Sequence, residues 1–336
     1  MNIALDVMSG DNAPFSNIEG AIDYLNHYDK DAANIIFVGD ENILNNLLKK
    51  HAHLKNKFKI KGTTEVVEMD EKPSRILRSK PNSSLVQSIK LLKDKKAHAT
   101  VSSGNTGALL TTALLLIGKI SGINRPALAP FIPTLNGGFI ICDAGANVDT
   151  KPHHLVQFAL MASAYMELMN KRYNPKVALL NIGSEEGKGN ELCNLSYPLL
   201  KKYVPNFIGN LESRYILEGK ADIIVCDGFS GNIVLKLTEG VIKHLLLWIN
   251  HDFNKKIISE PSKSIFNTII QNITNTLDHE EHGAIPLLGV NEIVMKCHGS
   301  STSKGIKNSL EKAQLIYKNH FIKNIKQKLS KQMDLV

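Results

Sequence analysis

The chain has 336 residues, 43% of them hydrophobic and 21% charged. That balance supports a sizeable core and excludes global disorder, and the length suits one large α/β domain or two smaller ones. The formal charge of +8 sits at one end: Lys304 to Val336 holds eight Lys against Glu311 and Asp334, so the rest of the chain is nearly neutral.

In chain order, Asn2-Ile3-Ala4-Leu5-Asp6 lacks a basic or long apolar leader and reads as a first strand, not a signal peptide. Further strand candidates are 35–38, 100–102, 139–142, 177–181, 223–226 and 293–295, after a first one at 3–7. They are rich in Val and Ile and do not alternate strictly, as expected of strands buried on both faces. Helical patterns lie between them at 81–93, 107–119, 153–170, 190–202 and 232–250. This rhythm predicts an α/β fold, a mainly parallel sheet with helices on both faces.

Two consecutive helical patterns, 241–253 and 265–277, break the rhythm. Val241, Leu245 and Trp248, then Ile265, Ile269, Ile273 and Leu277, fall at helical spacing and predict a protruding αα-hairpin over 240–280. Ile257 and Ile258 at its tip, beside two Lys, read either as a shallow membrane contact or as residues packed under the hairpin or on a second subunit. The basic stretch 304–336 predicts a C-terminal helix that is either solvated or drawn to an acidic partner. No run of about 18 uncharged apolar residues suggests a membrane span. The four Cys are scattered without metal or disulfide spacing, which fits a reducing cytoplasm.

In parallel sheets, sites form beyond the carboxyl ends of the strands. Five such ends here carry small and polar residues: 6–12, 101–107, 143–149, 181–190 and 227–232. The best anion site is Ser102, Ser103, Gly104, Asn105, Thr106 and Gly107. Glycines admit a ligand to the backbone, hydroxyls add donors, and the next helix offers free N–H groups with a positive dipole end. The loop matches neither a Walker A sequence nor a dinucleotide fingerprint. Lys188, in a Gly-flanked loop, has the reach for a phosphate or an oxyanion; the alternative is a surface ion pair with Glu185 or Glu186. His298 suits a proton donor or phosphate contact, or a turn histidine bonded to a carbonyl. Asp278-His279-Glu280-Glu281-His282 does not match a zinc helix, so no metal site is expected. No nucleophile elbow or reactive-cysteine motif appears, which favours direct attack by a bound substrate.

In combination these strings resemble the PlsX family, the phosphate acyltransferases of bacterial phospholipid synthesis. The matching segments include Ile3-Ala4-Leu5-Asp6-Val7-Met8, Ser102-Ser103-Gly104-Asn105-Thr106-Gly107, Gly145-Ala146-Asn147-Val148-Asp149, Lys188-Gly189-Asn190-Glu191, Cys226-Asp227-Gly228-Phe229, Gly231-Asn232-Ile233-Val234 and His298-Gly299-Ser300-Ser301. They run in order along nearly the whole chain. Departures fall at Ser9, Asn12, Ser184 and Ala284, where the family usually has Gly, His, Glu and Gly.

The resemblance implies acyl transfer from acyl-[acyl carrier protein] to inorganic phosphate, giving acyl phosphate for a membrane glycerol-3-phosphate acyltransferase. It implies a fold like isocitrate dehydrogenases and phosphate acetyltransferases, a homodimer, and no cofactor or nucleic acid. It places the protein in the cytoplasm, peripherally associated with the inner membrane. The expected catalytic group is Lys188, His298 and Asn181. Phosphate and thioester are expected on Ser102–Gly107 with Asp6, Asp11, Asn147, Asp227 and Asn232, and membrane contact at Ile257 and Ile258. An acyl-coenzyme A-using, phosphate acetyltransferase-like enzyme and a non-catalytic membrane scaffold are the alternatives.

Overall fold

The computed structural model describes residues 1–135, 137–254 and 260–333. The chain begins with β1 (Asn2–Asp6), α1 (Phe15–Tyr28), β2 (Asn34–Gly39), α2 (Glu41–Leu48) and β3 (Phe58–Gly62). α3 (Ile76–Ser79), α4 (Ser84–Lys93), β4 (Ala99–Ser102) and α5 (Thr106–Leu116) follow. Next come β5 (Ala127–Leu128), β6 (Phe131–Ile132), β7 (Phe139–Cys142), α6 (Pro152–Asn170), β8 (Val177–Asn181), α7 (Glu191–Tyr203), β9 (Phe207–Glu212) and β10 (Ile223–Val225). The last elements are α8 (Gly228–Asn254), α9 (Glu260–Leu277), β11 (Ile285–Leu288), β12 (Ile293–Lys296), α10 (Ser303–Lys318) and α11 (Phe321–Met333).

The strands are mainly parallel, as their buried Val and Ile runs predict, but they form two sheets. The larger has the order β3-β2-β1-β4-β12-β11-β5 and the smaller β6-β7-β10-β8-β9. Only β11, against β12 and β5, and β6, against β7, pair antiparallel among the described residues. Helices cover both faces of the larger sheet. α1, α6 and α10 pack on one face around Ile3, Leu5 and Val101, and α4 and α5 on the other around Ala4, Ile36 and Val294. The first of these clusters continues through Leu155, Phe158 and Met166 of α6 to Ile140 and Ile223, so the two sheets share a core. α6 is apolar around most of its circumference, which suits a helix buried between two sheets.

The C-terminal segment differs from the expected single helix. It is two helices, broken where His320 takes a left-handed φ of 50° after the Asn319 cap. One face of each is core: Ile306, Leu310, Ala313 and Ile316, then Phe321, Ile325 and Leu329, are buried. α8 and α9 form the hairpin, with the Phe253 and Phe266 rings stacked at 3.4 Å. Its periodic apolar residues do not close on each other. Leu237, Val241, Leu245 and Trp248 on α8, with Ile265, Ile269 and Ile273 on α9, are each 40–69% exposed. Ile257 and Ile258 lie outside the described residues. No described helix is long and apolar enough to cross a membrane.

Candidate active site

The larger sheet positions the first half of the site. β1 and β4 are neighbours in register, and Asp6 stands opposite Ser102 where both strands end. Ser102 Oγ donates to Asp6 Oδ2 at 2.6 Å and accepts from Gly104 N at 3.1 Å, which folds the loop back over the strand end. Burial pushes the Asp6 carboxyl up, against the pull of the surrounding hydroxyls. Asn105 caps α5, its Oδ1 accepting from Ala108 N at 2.9 Å while Nδ2 donates to Met69 O at 2.7 Å. The side chain of Asn105 is thereby committed to the loop. Gly10 has a φ of +108°, and a Cβ there would meet Ser103 Cβ at 2.9 Å, so only glycine lets the first loop lie on this cradle.

The first loop is stitched to the last. Asp11 N donates to Gly299 O at 2.8 Å and Asn12 Nδ2 to Ser300 O at 3.1 Å. Asn12, a departure from the family pattern, therefore serves as a tie to the His298 loop. His298 is exposed, with Nδ1 2.8 Å from Ser300 Oγ. Asp11, Thr106, Gly145, Asn232, Lys296 and His298 line a cavity of about 490 Å³. Leu128, Phe131, Leu235 and Ile285 give the same cavity an apolar wall.

The smaller sheet supplies the rest. Asp143 is fully buried at the end of β7. Its Oδ1 accepts from Leu128 N at 2.9 Å and Ala146 N at 3.2 Å, and its Oδ2 from Asn147 N at 2.7 Å. Asn147 Nδ2 donates to Pro126 O at 2.7 Å and to Asp143 Oδ2 at 3.0 Å. Asn147 thus locks the loop and does not line the 490 Å³ cavity. Burial raises the Asp143 carboxyl, opposed by those four hydrogen bonds.

Asp227 accepts from Ser230 N and Ser230 Oγ, both at 2.8 Å, at the start of α8. It faces a second cavity of about 330 Å³ with Asn181, Asn190 and Cys193. Asn181 Nδ2 donates to Lys188 O at 2.9 Å, and the exposed Lys188 rides on this loop. Glu186 pairs with Lys201 at 3.6 Å. Within one chain the expected residues therefore divide. Asp11, Thr106, Asn232 and His298 share the first cavity above Asp6 and Ser102; Asn181 and Asp227 share the second, beside Lys188. α8 contributes Asn232, Leu235 and Lys236 to the first, while Asp227 and Ser230 at its start face the second.

Two desolvated cationic residues of the first cavity escaped the sequence reading, Lys296 and Lys312, beside the exposed Lys236. Burial pulls each ammonium down to about 8, and nearby Cys297, Asp6 and Asp11 oppose this at Lys296. A lysine closing the apolar run Ile293-Val294-Met295 was the available signal, because lysine is rarely buried. The acids of 278–282 dock α10: Glu280 accepts from Thr302 N and Oγ1, each at 2.6 Å, and Asp278 from Lys304 Nζ at 3.0 Å.

Known proteins supply the comparison. The sequence pattern of the family described as "Fatty acid synthesis protein" matches residues 1–324. A phosphate acyltransferase of Clostridioides difficile (strain 630) is 42% identical over 332 residues, 98% of this chain and 97% of its own. One from Dictyoglomus thermophilum is 43% identical over 336 residues, 99% of each chain. In fold, a phosphotransacetylase from Streptococcus pyogenes matches 98% of this chain and 94% of its own, with TM-score 0.57 and 16% identity. A branched-chain phosphotransacylase from Enterococcus faecalis V583 matches 94% and 99%, with TM-score 0.55 and 15% identity. Full-length identity above 40% and a sheet-end cradle facing an apolar-walled cavity agree, and the chain belongs to the PlsX family of phosphate acyltransferases.

Proposed function

We propose that this chain transfers a fatty acyl group from acyl-[acyl carrier protein] to inorganic phosphate, reversibly, to make acyl phosphate for phospholipid synthesis. The observation that carries the reading is one cavity holding both an anion site, Thr106 at the amide end of α5, and an apolar wall of Leu128, Phe131, Leu235 and Ile285. Phosphate and thioester meet there, so placement supplies much of the rate. A phosphate oxygen attacks the thioester carbonyl and forms the new C–O bond. Backbone N–H groups and nearby side chains steady the tetrahedral oxyanion. The C–S bond then breaks, and the thiolate leaves and takes a proton from the rim, where His298 stands. Lys188 and Asn181 act in the same step if the acyl donor bridges the start of α8. Lys188→Ala is then expected to lower turnover while phosphate binding persists.

The exposed stripes on α8 and α9 support a homodimer paired through the hairpins, because contiguous apolar surface of that extent marks an interface. Peripheral membrane contact at Ile257 and Ile258 would deliver a poorly soluble product to a membrane glycerol-3-phosphate acyltransferase. Liposome sedimentation of Ile257→Asp/Ile258→Asp is expected to show weakened binding, and unchanged binding overturns that assignment.

The deciding experiment traps acyl phosphate as the hydroxamate from purified protein, phosphate and palmitoyl-carrier protein, with a palmitoyl-coenzyme A arm alongside. Phosphate-dependent turnover with the carrier-protein donor alone is the expected result. Equal turnover with coenzyme A overturns the donor assignment, and folded protein that turns over neither overturns the reaction.

A further inference from the structure

Lys296 and Lys312 are desolvated cations that the reaction as described leaves unused, and Lys296 is the one that stands in the row beside Ser102. β1, β4 and β12 are adjacent and parallel, and their last residues fall in one row: Asp6 opposite Ser102, and Ser102 opposite Lys296. Side chains in one row leave the same face of a sheet. The row therefore sets a carboxylate, a hydroxyl and an ammonium side by side, directly under the loop that opens α5. Lys296 is only 6% exposed, yet it lines the cavity with Thr106, Asp11 and His298. Its Nζ donates to the backbone carbonyl of its own neighbour, Cys297.

A lysine kept for stability alone would be held by a carboxylate, since an ammonium taken from water without a partner is costly. Among the described residues Lys296 forms no ion pair; Asp6 and Asp11 reach it only through space. The pocket around it is under-bonded in the same direction. Asp6 Oδ1, Ser9 Oγ and Ser103 Oγ are buried without a well-formed hydrogen bond. The Ser9 and Ser84 hydroxyls bear on Asp6 and the Ser103 hydroxyl on Cys297, each drawing its neighbour's pKa down against burial. A cavity with the amide end of α5 at Thr106 and two desolvated cations, Lys296 and Lys312, over a layer of buried hydroxyls is suited to an oxyanion of high charge.

We propose that the Lys296 ammonium, together with the amide end of α5, holds the phosphate nucleophile in the cavity and then the phosphoryl end of the acyl phosphate. The Nζ leaves the Cys297 carbonyl for a phosphate oxygen, a change of rotamer with no movement of β12. Burial, which draws this amine down to about 8, makes an arriving anion the stronger partner. The assignment rests on acyl transfer to phosphate as the reaction and names the residue that binds the acceptor.

The test separates phosphate from the acyl donor. Lys296→Met is expected to raise KM for phosphate at least tenfold with KM for the acyl donor unchanged, and Lys296→Arg to recover part of the loss. A phosphate KM within twofold of wild type in folded Lys296→Met overturns the assignment. A second measurement uses the unaltered protein, so it does not depend on the variant folding. Mass-spectrometric amine labelling with a small acylating reagent is expected to modify Lys296, and inorganic phosphate to slow that modification severalfold. Equal labelling with and without phosphate overturns the proposal, and so does no labelling, because an amine that meets phosphate in the cavity also meets the reagent. Protection by phosphate in a wild-type protein that makes no acyl phosphate supports the site and overturns the reaction instead.

Discussion

Gly231→Ala tests how the start of α8 is seated. A Cβ at Gly231 would lie 1.9 Å from Asp143 O and 2.9 Å from Cys226 Sγ. The carbonyl cannot give way easily. Asp143 N is bonded to Cys226 O at 3.0 Å, and the carboxylate of the same residue takes three backbone N–H groups and the Asn147 amide. Restoring a tolerable contact therefore displaces α8 by about 1 Å, and overpacking of this kind costs roughly 1–3 kcal/mol. At about 2–4 °C per kcal/mol, melting falls by roughly 2–12 °C. Activity is more sensitive, because α8 carries Asn232 into the first cavity and Asp227 precedes it at the second. A misplacement of about 1 Å commonly costs about 100-fold in rate. The assay is initial-rate hydroxamate formation at saturating substrates beside a thermal melt. Gly240→Ala is the control, since a Cβ there meets nothing within 4 Å and helix propensity favours Ala by about 1 kcal/mol. Gly231→Ala with wild-type rate and melting temperature would refute the argument that this close approach seats the helix.

Leu245→Asp/Ile269→Asp is expected to convert a sedimenting dimer into monomers; a monomeric wild type at micromolar concentration would remove the basis for hairpin pairing. Asn105→Ala removes the α5 cap and the tie to Met69 O, and urea unfolding should show a loss of about 1 kcal/mol. Lys296→Met should be more stable than wild type at pH 7, by an amount up to roughly 3 kcal/mol from the shift of 10.5 to about 8. The sign follows from linkage. Below pH 8 the ammonium is charged in both states and its burial opposes folding; between pH 8 and 10.5 the folded protein releases the proton first, so the wild type gains stability and the difference closes. A difference that does not change across that window contradicts the shift.

The sheet was legible where strands are buried on both faces. Ile35–Val38, Phe139–Cys142 and residues 177–180 announce themselves by unbroken apolar runs. β3 and β9 did not, because they are edge strands; in β3, Lys59 and Lys61 alternate with Phe58 and Ile60 and leave half the strand polar. β11 carries Pro286, and β5 and β6 are two residues each. α1 was hidden by Asn17, a buried polar residue whose Nδ2 bonds Val7 O at 2.8 Å and Ser9 O at 3.0 Å. The cradle loop itself was readable, since glycine and hydroxyl residues before a helix have a local meaning. The division of the loops between two cavities was not, because it follows from the strands forming two sheets, and no local pattern records that. The place of Lys296 beside Ser102 is likewise a matter of register between segments far apart in the chain.

That register carries a consequence for how the protein is made. The row of Asp6, Ser102 and Lys296 joins the first strand of the chain, the fourth and the twelfth, with β12 inserted between β4 and β11. During synthesis from the amino end, β1 and β4 emerge long before the strand that completes them. Until then β4 presents an open edge and the cradle lacks its third side. Pairings across such separations are entropically expensive and slow to form. They also bind the ends of the chain into one cooperative unit, reinforced by α10 packing on α1. The nascent chain acquires its anion pocket only after β12 has been translated.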